Sequence, residues 1–597
     1  MSKPLFCADV PADDRWDLST LYTRDEDWER DLEALATRVP EIESFQGRLA
    51  ESGAVLLQYL NLSVEIGLLE ERLGYYAMLR QSEDGSDDSA QSRYTRFMQT
   101  ASQVGAAMSF FAPELQQIPA ERMDELTRHP GVEEFSIMLG KILRYREHTL
   151  NPSEERLLAL QAEANQTARK TFSALTDVDM DFGEVETPEG PRTLTQSSFA
   201  SLQEHRDREV RRRSFEQFYG HFEAHRHTLA ALLSGSVALD VYSARVRGFE
   251  SALQEGLFPD NVPVTVYDNL VDTVREHLPL LHRYYALRGR VLDLPDLAVW
   301  DTKVSLVAEA TIDTPYDRAV DTVIEALSPL GDEYCDTLAS GLRGGWVDKF
   351  ENKGKRSGAF SAGSYVGDPY ILLNYKSDTI RDVFTLAHEA GHSMHSWYSV
   401  RANPFQHYDY TIFEAEVAST FNEQLLMKHL LDQKLEPQMR AYLLSKHLDD
   451  ILATLFRQTM FAEFERTIHR LYESGTALTV DTLRSEYMQL LRAYFGDGVH
   501  LPELLQLEGL RIPHFYRAFY VYKYATGISA AISLAERVLH GGSEERERYF
   551  SFLQSGGSRF PIESLRLAGV DMESPEPVRS ALALFGRRLE ELESALT

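Results

Sequence analysis

Between Val55 and Tyr76 the apolar residues Val55, Leu56, Tyr59, Leu60, Val64, Leu68, Leu69, Leu73 and Tyr76 recur at steps of three and four. That spacing lays them on one face of an α-helix and leaves the other face for water. The same period runs from about Trp16 to Gly140, interrupted at Ser82–Asp88, where polar residues break one helix and cap the next. A helical stretch follows Pro152, gives way to a hairpin-like alternation at Asp179–Gly190, and resumes from Thr195 to about Ser251. One region has a different texture. Residues 341–376 hold eight glycines or prolines among short apolar alternations: Trp346-Val347, Ala359-Phe360, Ser364-Tyr365-Val366 and Pro369–Tyr375. This pattern predicts short strands joined by glycine turns. Helical patterning returns at Ser377. The expected fold class is mostly α with one small β-sheet.

Charge and cysteine content narrow the function. The 597 residues carry 61 Lys+Arg against 92 Asp+Glu, so the net charge is 61 − 92 = −31. Nucleic acid and anionic membrane surfaces are polyanions, and neither is expected as a partner. Cys7 and Cys335 are too few for a disulfide framework, and no CxxC pair suggests a cysteine zinc site. The start of the chain turns acidic at Asp9, Asp13 and Asp14 rather than apolar, and no run of about 18 apolar residues stands out. A cytoplasmic protein is the expectation. Neither G-x-S-x-G nor G-x-x-x-x-G-K-[ST] occurs, which leaves α/β-hydrolase and P-loop chemistry without support.

One motif carries chemistry. His388-Glu389-Ala390-Gly391-His392 matches H-E-x-x-H within a helical stretch. Four residues turn a helix by ~400°, so the two imidazoles lie ~40° apart, one turn along, and can converge on one metal ion. Glu389 sits ~60° from His392, where it can reach the water that such a metal activates. Gly391 costs ~1 kcal/mol relative to Ala inside a helix, so a close approach is expected there. A catalytic zinc takes three protein ligands and keeps one position open. Downstream, Ile412–Leu426 is an apolar helix carrying Glu414, Glu416 and Glu423. Glu416 and Glu423 are seven apart and share a face. One of them as ligand and the other as partner of a ligand imidazole is an economical arrangement. Glu414 points ~160° away from Glu416 and reads as solvated.

With Glu416-Val-Ala-Ser-Thr420 following it, the motif resembles the thimet-oligopeptidase family of zinc metallopeptidases. Arg356–Phe360, Pro369–Tyr375 and Pro513–Gly527 resemble its oligoendopeptidase F branch. The likeness spans roughly residues 115 to 590. It implies one Zn²⁺ held by His388, His392 and Glu416, with Glu389 as general base; the same-face reading then leaves Glu423 as partner of a ligand imidazole. It implies that His514 and tyrosines of the C-terminal block face the scissile bond, Tyr516 and Tyr520 first among them, with Tyr522 and Tyr524 near the substrate. The family fold is a helical, two-lobed body around a deep channel, which implies short peptides as substrates. The division expected along the chain is a helical region at 1–115, a helical linker region with a short hairpin at 116–200 and a catalytic domain at 201–597. A strand just before the metal helix suits backbone pairing with an extended peptide. That makes Gly363, Tyr370 and Asn374 candidates for substrate binding. A metallocarboxypeptidase is the competing reading; Arg511 or Arg517 would then capture a free carboxylate.

Overall fold

Residues 5–308 and 313–596 are described by the structure, a computed structural model. It is built mostly of helices, and their ends follow the side chains at their caps. Ser52 accepts from the Val55 N–H at the start of helix Gly53–Glu83, and Asp87 accepts from the Ser89 N–H at the start of Asp88–Met108. Asn151 and Glu154 form a reciprocal capping box for Pro152–Asn165, and Thr195 does the same with Ser198 for Gln196–Gln203. The hairpin lies a few residues later than the alternation suggests: Glu184–Thr187 pairs antiparallel with Gly190–Thr193.

Contacts divide the chain into two compact units, each assembled from three stretches. The first comprises Met1–Thr149, Thr311–Asp432 and Leu534–Val570; the second comprises Leu150–Ala310, Gln433–Ser533 and Asp571–Thr597. The units interleave along the chain, so they cut across a linear division at 115 and 200.

In the first unit Leu56, Tyr59, Leu60, Leu73 and Tyr76 enter one core with Trp16, Trp28, Tyr370 and Leu372. The expected sheet is present and small. Its strand order is Val347–Asp348, Tyr370–Leu372, Phe360–Ala362; the first pair is parallel and the second antiparallel. Ser364-Tyr365-Val366 is a bend rather than a strand. Phe360–Ala362 packs against helix Ile380–Ala402, where the Ser361 hydroxyl meets that of Ser393 at 2.8 Å.

In the second unit, helix Arg226–Val246 is long and apolar enough, by length and composition, to cross a membrane. The sequence reading overlooked this run. Within its unit the helix packs on Thr167–Ser173, Ala252–Leu257, Arg457–Glu473 and Val480–Phe495. Leu229, Leu233, Val237 and Val241 are buried there.

Candidate metal centre

Helix Ile380–Ala402 begins at Thr379, whose hydroxyl accepts the Arg381 N–H, while Asp382 accepts the Lys376 N–H at 2.7 Å. After the break at Asn403-Pro404 the chain returns as helix Ile412–Asp432. The contacts between the helices fix their direction. Ala387 meets Asn422, His388 meets Glu423, Gly391 meets Ala418 and Ser419, and His392 meets Ala415. One number rises as the other falls, so the helices are antiparallel. They touch closely at Gly391, where a Cβ would lie 2.6 Å from the Ala418 carbonyl oxygen and 2.6 Å from the Ser419 Cα. This is the close approach expected of that glycine.

His388, His392 and Glu416 form a group able to hold a metal ion, their ligand atoms all within 4.8 Å of one another. His388 Nε2 is 3.2 Å from His392 Nε2 and 3.6 Å from Glu416 Oε2. Ligands ~2.0–2.1 Å from a tetrahedral zinc lie about 3.3 Å apart, so the spacing fits. The far side of each imidazole is anchored. His388 Nδ1 donates to Glu423 Oε1 at 2.6 Å, and the His392 ring donates to the Ala415 carbonyl. Both bonds aim Nε2 at the shared point. Burial works against charge on His388, but Glu423, Glu389 and Glu416 outweigh it and push its pKa up to about 9. Burial and then His388 push His392 down to about 3.

Glu389 is 7% exposed and accepts the Ser361 N–H from the neighbouring strand. Burial raises its pKa; His388 opposes that, and Glu416 and Glu423 add to it, for a value of about 7. Glu414 is not the solvated residue expected. It is 1% exposed, and its carboxylate takes the Thr411 N–H and hydroxyl at 3.2 Å each, with Ser564 as a further donor. Sequence reasoning missed Ser361, Asn422 and the Ala415 carbonyl. Asn422, a fully buried amide inside an apolar run, was the one with a visible signal.

The substrate-strand candidates need correction. Tyr370–Leu372 is the middle strand of its sheet and has no edge to offer. The Tyr370 side chain is buried in the core, with its hydroxyl bound to Thr20 and to the Asp17 carbonyl. The Asn374 amide donates to the Arg356 and Gly358 carbonyls at 3.0 and 2.8 Å, closing a loop of its own chain. Gly363 lies against Ser396 of the metal helix, where a Cβ would collide with that side chain. Its role is packing.

The C-terminal candidates belong to the second unit, where they sort into two groups. His514, in the turn Pro513–Tyr516, stacks with Tyr520 at 6.3 Å between ring centres, and Tyr524 donates to the Tyr520 hydroxyl at 3.5 Å. Tyr520 follows Phe519, a non-glycine residue at φ 54° whose N–H is held by the buried Glu465 carboxyl at 3.1 Å. Tyr516 instead lays its ring on Phe172 with its hydroxyl buried, and Tyr522 is fully buried against Tyr267. Neither hydroxyl is available to a substrate, which corrects both assignments. Arg511 is bound to Tyr219 and Glu508, and Arg517 lies over the Tyr520 ring.

A family model described as Peptidase family M3 matches residues 201–584, and one described as Oligopeptidase F matches residues 114–182. The chain is 38% identical over 585 residues to an oligoendopeptidase F homolog of Borreliella burgdorferi, covering 98% of each. It is 38% identical over 598 residues to oligopeptidase PepF of Bacillus subtilis, covering 99% of this chain and 88% of the relative. Among solved structures, oligoendopeptidase-F from Enterococcus faecium superposes with a TM-score of 0.74 at 32% identity, covering 96% of this chain and 99% of that one.

Proposed function

We propose that this chain, which belongs to peptidase family M3 and is a peptidase of the oligoendopeptidase F kind, cuts internal bonds of short peptides using one zinc ion held by His388, His392 and Glu416. The observation that carries this reading is the pair of ligand spacings, 3.2 and 3.6 Å, with both imidazoles anchored from behind. A zinc ion there would supply Lewis acidity and make a water easier to deprotonate near neutral pH. Glu389 takes the proton from the attacking water and passes it to the leaving amine nitrogen. The Ser361 N–H keeps the carboxylate aimed while it does so. For the second oxyanion donor the family resemblance points to the C-terminal block, and the accessible cluster there is His514, Tyr520 and Tyr524. The Tyr520 hydroxyl is assigned this role, worth about 10²–10³ in rate.

An extended peptide has one suitable edge in the small sheet. Phe360–Ala362 pairs with the middle strand only, among the described residues, and its Ser361 N–H already meets Glu389. A peptide added along that strand passes beside the base, with backbone bonds that demand little of its sequence. Both cysteines are free thiols, which suits a reducing compartment such as the cytoplasm.

The test is an internally quenched peptide blocked at both ends, assayed with and without chelator. Cleavage that stops on chelation and returns with one equivalent of zinc is expected. Release of single C-terminal residues from free peptides, with the blocked peptide left intact, would establish a carboxypeptidase instead.

A further inference from the structure

A cavity of about 530 Å³ lies wholly within the second unit, and the hydrolysis proposed above makes no use of it. Its walls are aromatic: Phe199, Phe215, Tyr219, Tyr285, Phe461 and Phe495 all face it. Three cationic side chains also face it, Lys303, Arg457 and Arg511. Two of these share one carboxylate. Glu508 accepts from Arg457 at 2.7 Å and from Arg511 at 3.3 Å, and it also takes the Tyr487 hydroxyl at 2.8 Å. Arg511 is held further by the Tyr219 hydroxyl at 3.1 Å, and the Arg457 guanidinium lies 4.8 Å from the centre of the Phe461 ring. Both guanidiniums are thus fixed in place before any ligand arrives.

Lys303 differs from them. It is exposed, reaching water at the cavity. No hydrogen bond or ion pair holds its ammonium among the described residues. Arg511 and Arg457 repel its charge; Glu508 and, more weakly, Glu204 attract it. The other carboxylates on the wall are committed elsewhere. Asp449 is bound by Arg288 and the Tyr284 hydroxyl, and Asp450 by Lys446. Three cations therefore face two carboxylates, Glu508 and Glu204, and one ammonium has no partner. That ammonium is the one positive group at the cavity left open to a ligand.

We infer that this cavity is a binding site for a small organic acid, a carboxylate or phosphate carried on an aromatic or apolar body, with Lys303 as the cation that receives the acidic group. The volume suits a molecule of that size, and apolar walls with a few convergent polar groups are the usual composition of a ligand site. The rings take the body, and Lys303 with the free N–H groups of the two arginines takes the charge. Arg511 and Ile512 line the cavity and run directly into the turn that carries His514.

Two acids distinguish the sources: N-acetylphenylalanine as the carboxylate and phenyl phosphate as the phosphate ester. N-acetylphenylalaninamide serves as the uncharged control. Calorimetric titration and thermal shift of the full chain read binding without reference to turnover. At least one acid should bind and the amide should not. Lys303→Met should weaken the acid about ten- to a hundred-fold, as expected for loss of a charge-assisted bond, and Lys303→Arg should retain it. Glu416→Ala should bind the acid as the parent does, which separates this site from the metal centre. The inference is overturned if neither acid binds, or if Lys303→Met binds as tightly as the parent. It is also overturned if Lys303→Met melts lower than the parent without ligand, because the ammonium would then serve the fold.

Discussion

Gly391→Ala tests whether the close approach of the two metal-bearing helices sets the ligand geometry. The added Cβ would sit 2.6 Å from the Ser419 Cα and 2.6 Å from the Ala418 carbonyl oxygen, with the Ser419 nitrogen at 2.9 Å. All three atoms are backbone, so none can rotate away. Restoring an ordinary carbon contact of about 3.5 Å requires the helices to part by about 0.9 Å. The gap from His388 Nε2 to Glu416 Oε2 is already 3.6 Å, and the same movement takes it to about 4.5 Å, beyond the ~3.3 Å that a tetrahedral zinc needs. Stability should change little, because overpacking costs about 1–3 kcal/mol while alanine recovers about 1 kcal/mol of helix propensity. Zinc affinity should fall at least tenfold, and a displacement of this size can cost about 10² in rate. Competition with a chromophoric chelator measures the first, and turnover of the blocked peptide at saturating zinc measures the second. A variant with parental zinc affinity and parental kcat would refute the argument that this contact fixes the centre.

Four further outcomes follow. Glu389→Gln should keep its zinc and lose about 10²–10⁴ in kcat, whereas Glu416→Ala should lose the metal; metal analysis beside a rate assay separates the two, and normal turnover by Glu389→Gln would remove it as the base. Glu423→Ala frees the His388 ring and should lower zinc affinity about 10–100-fold, and an unchanged affinity would show that its 2.6 Å contact does not orient the ligand. Tyr520→Phe should reduce kcat by about 10²–10³ while Tyr516→Phe and Tyr522→Phe leave it near the parent; the reverse pattern in steady-state kinetics would move the oxyanion donor to a buried tyrosine. His447, buried and close to Arg588 and Lys446, has its pKa pushed down from 6.5 to about 3, by burial first. The unfolded chain therefore binds the extra proton between those values, so this contribution is complete above about pH 6.5 and is lost as pH falls toward 3, by about 1.4 kcal/mol per pH unit. His447→Leu should flatten the fall in Tm between pH 6.5 and 5, and an unaltered profile would show that another group causes it.

What the amino-acid order discloses and what it hides divide along contact range. His388 and His392 were legible because the helix period alone brings them together, and Gly391 signalled a neighbour without naming it. Glu416 and Glu423 could be placed on one face, but only the antiparallel return of their helix shows that Glu423 reaches the back of His388. Glu414 was misread because its opposite face was assumed to meet water. Ser564, about 150 residues on, reaches its carboxylate instead. The expected pairing of substrate with Tyr370–Leu372 fails for the same reason: nothing local marks Val347–Asp348 as a parallel neighbour that encloses that strand. Tyr516 and Tyr520 look equivalent in sequence, and Phe172, more than 300 residues earlier, decides which hydroxyl is hidden.

The three-stretch construction of each unit constrains how the chain can be made. A nascent chain that has reached Asp432 contains every metal ligand and the general base, yet it lacks Leu534–Val570, which its unit needs for completion. The second unit waits longer still, for Asp571–Thr597. Neither body can finish folding during most of synthesis, and contacts that span hundreds of residues close late and slowly. A half-made chain is therefore an unfinished peptidase, and a fragment cut at any one boundary should expose apolar surface rather than fold as an independent module.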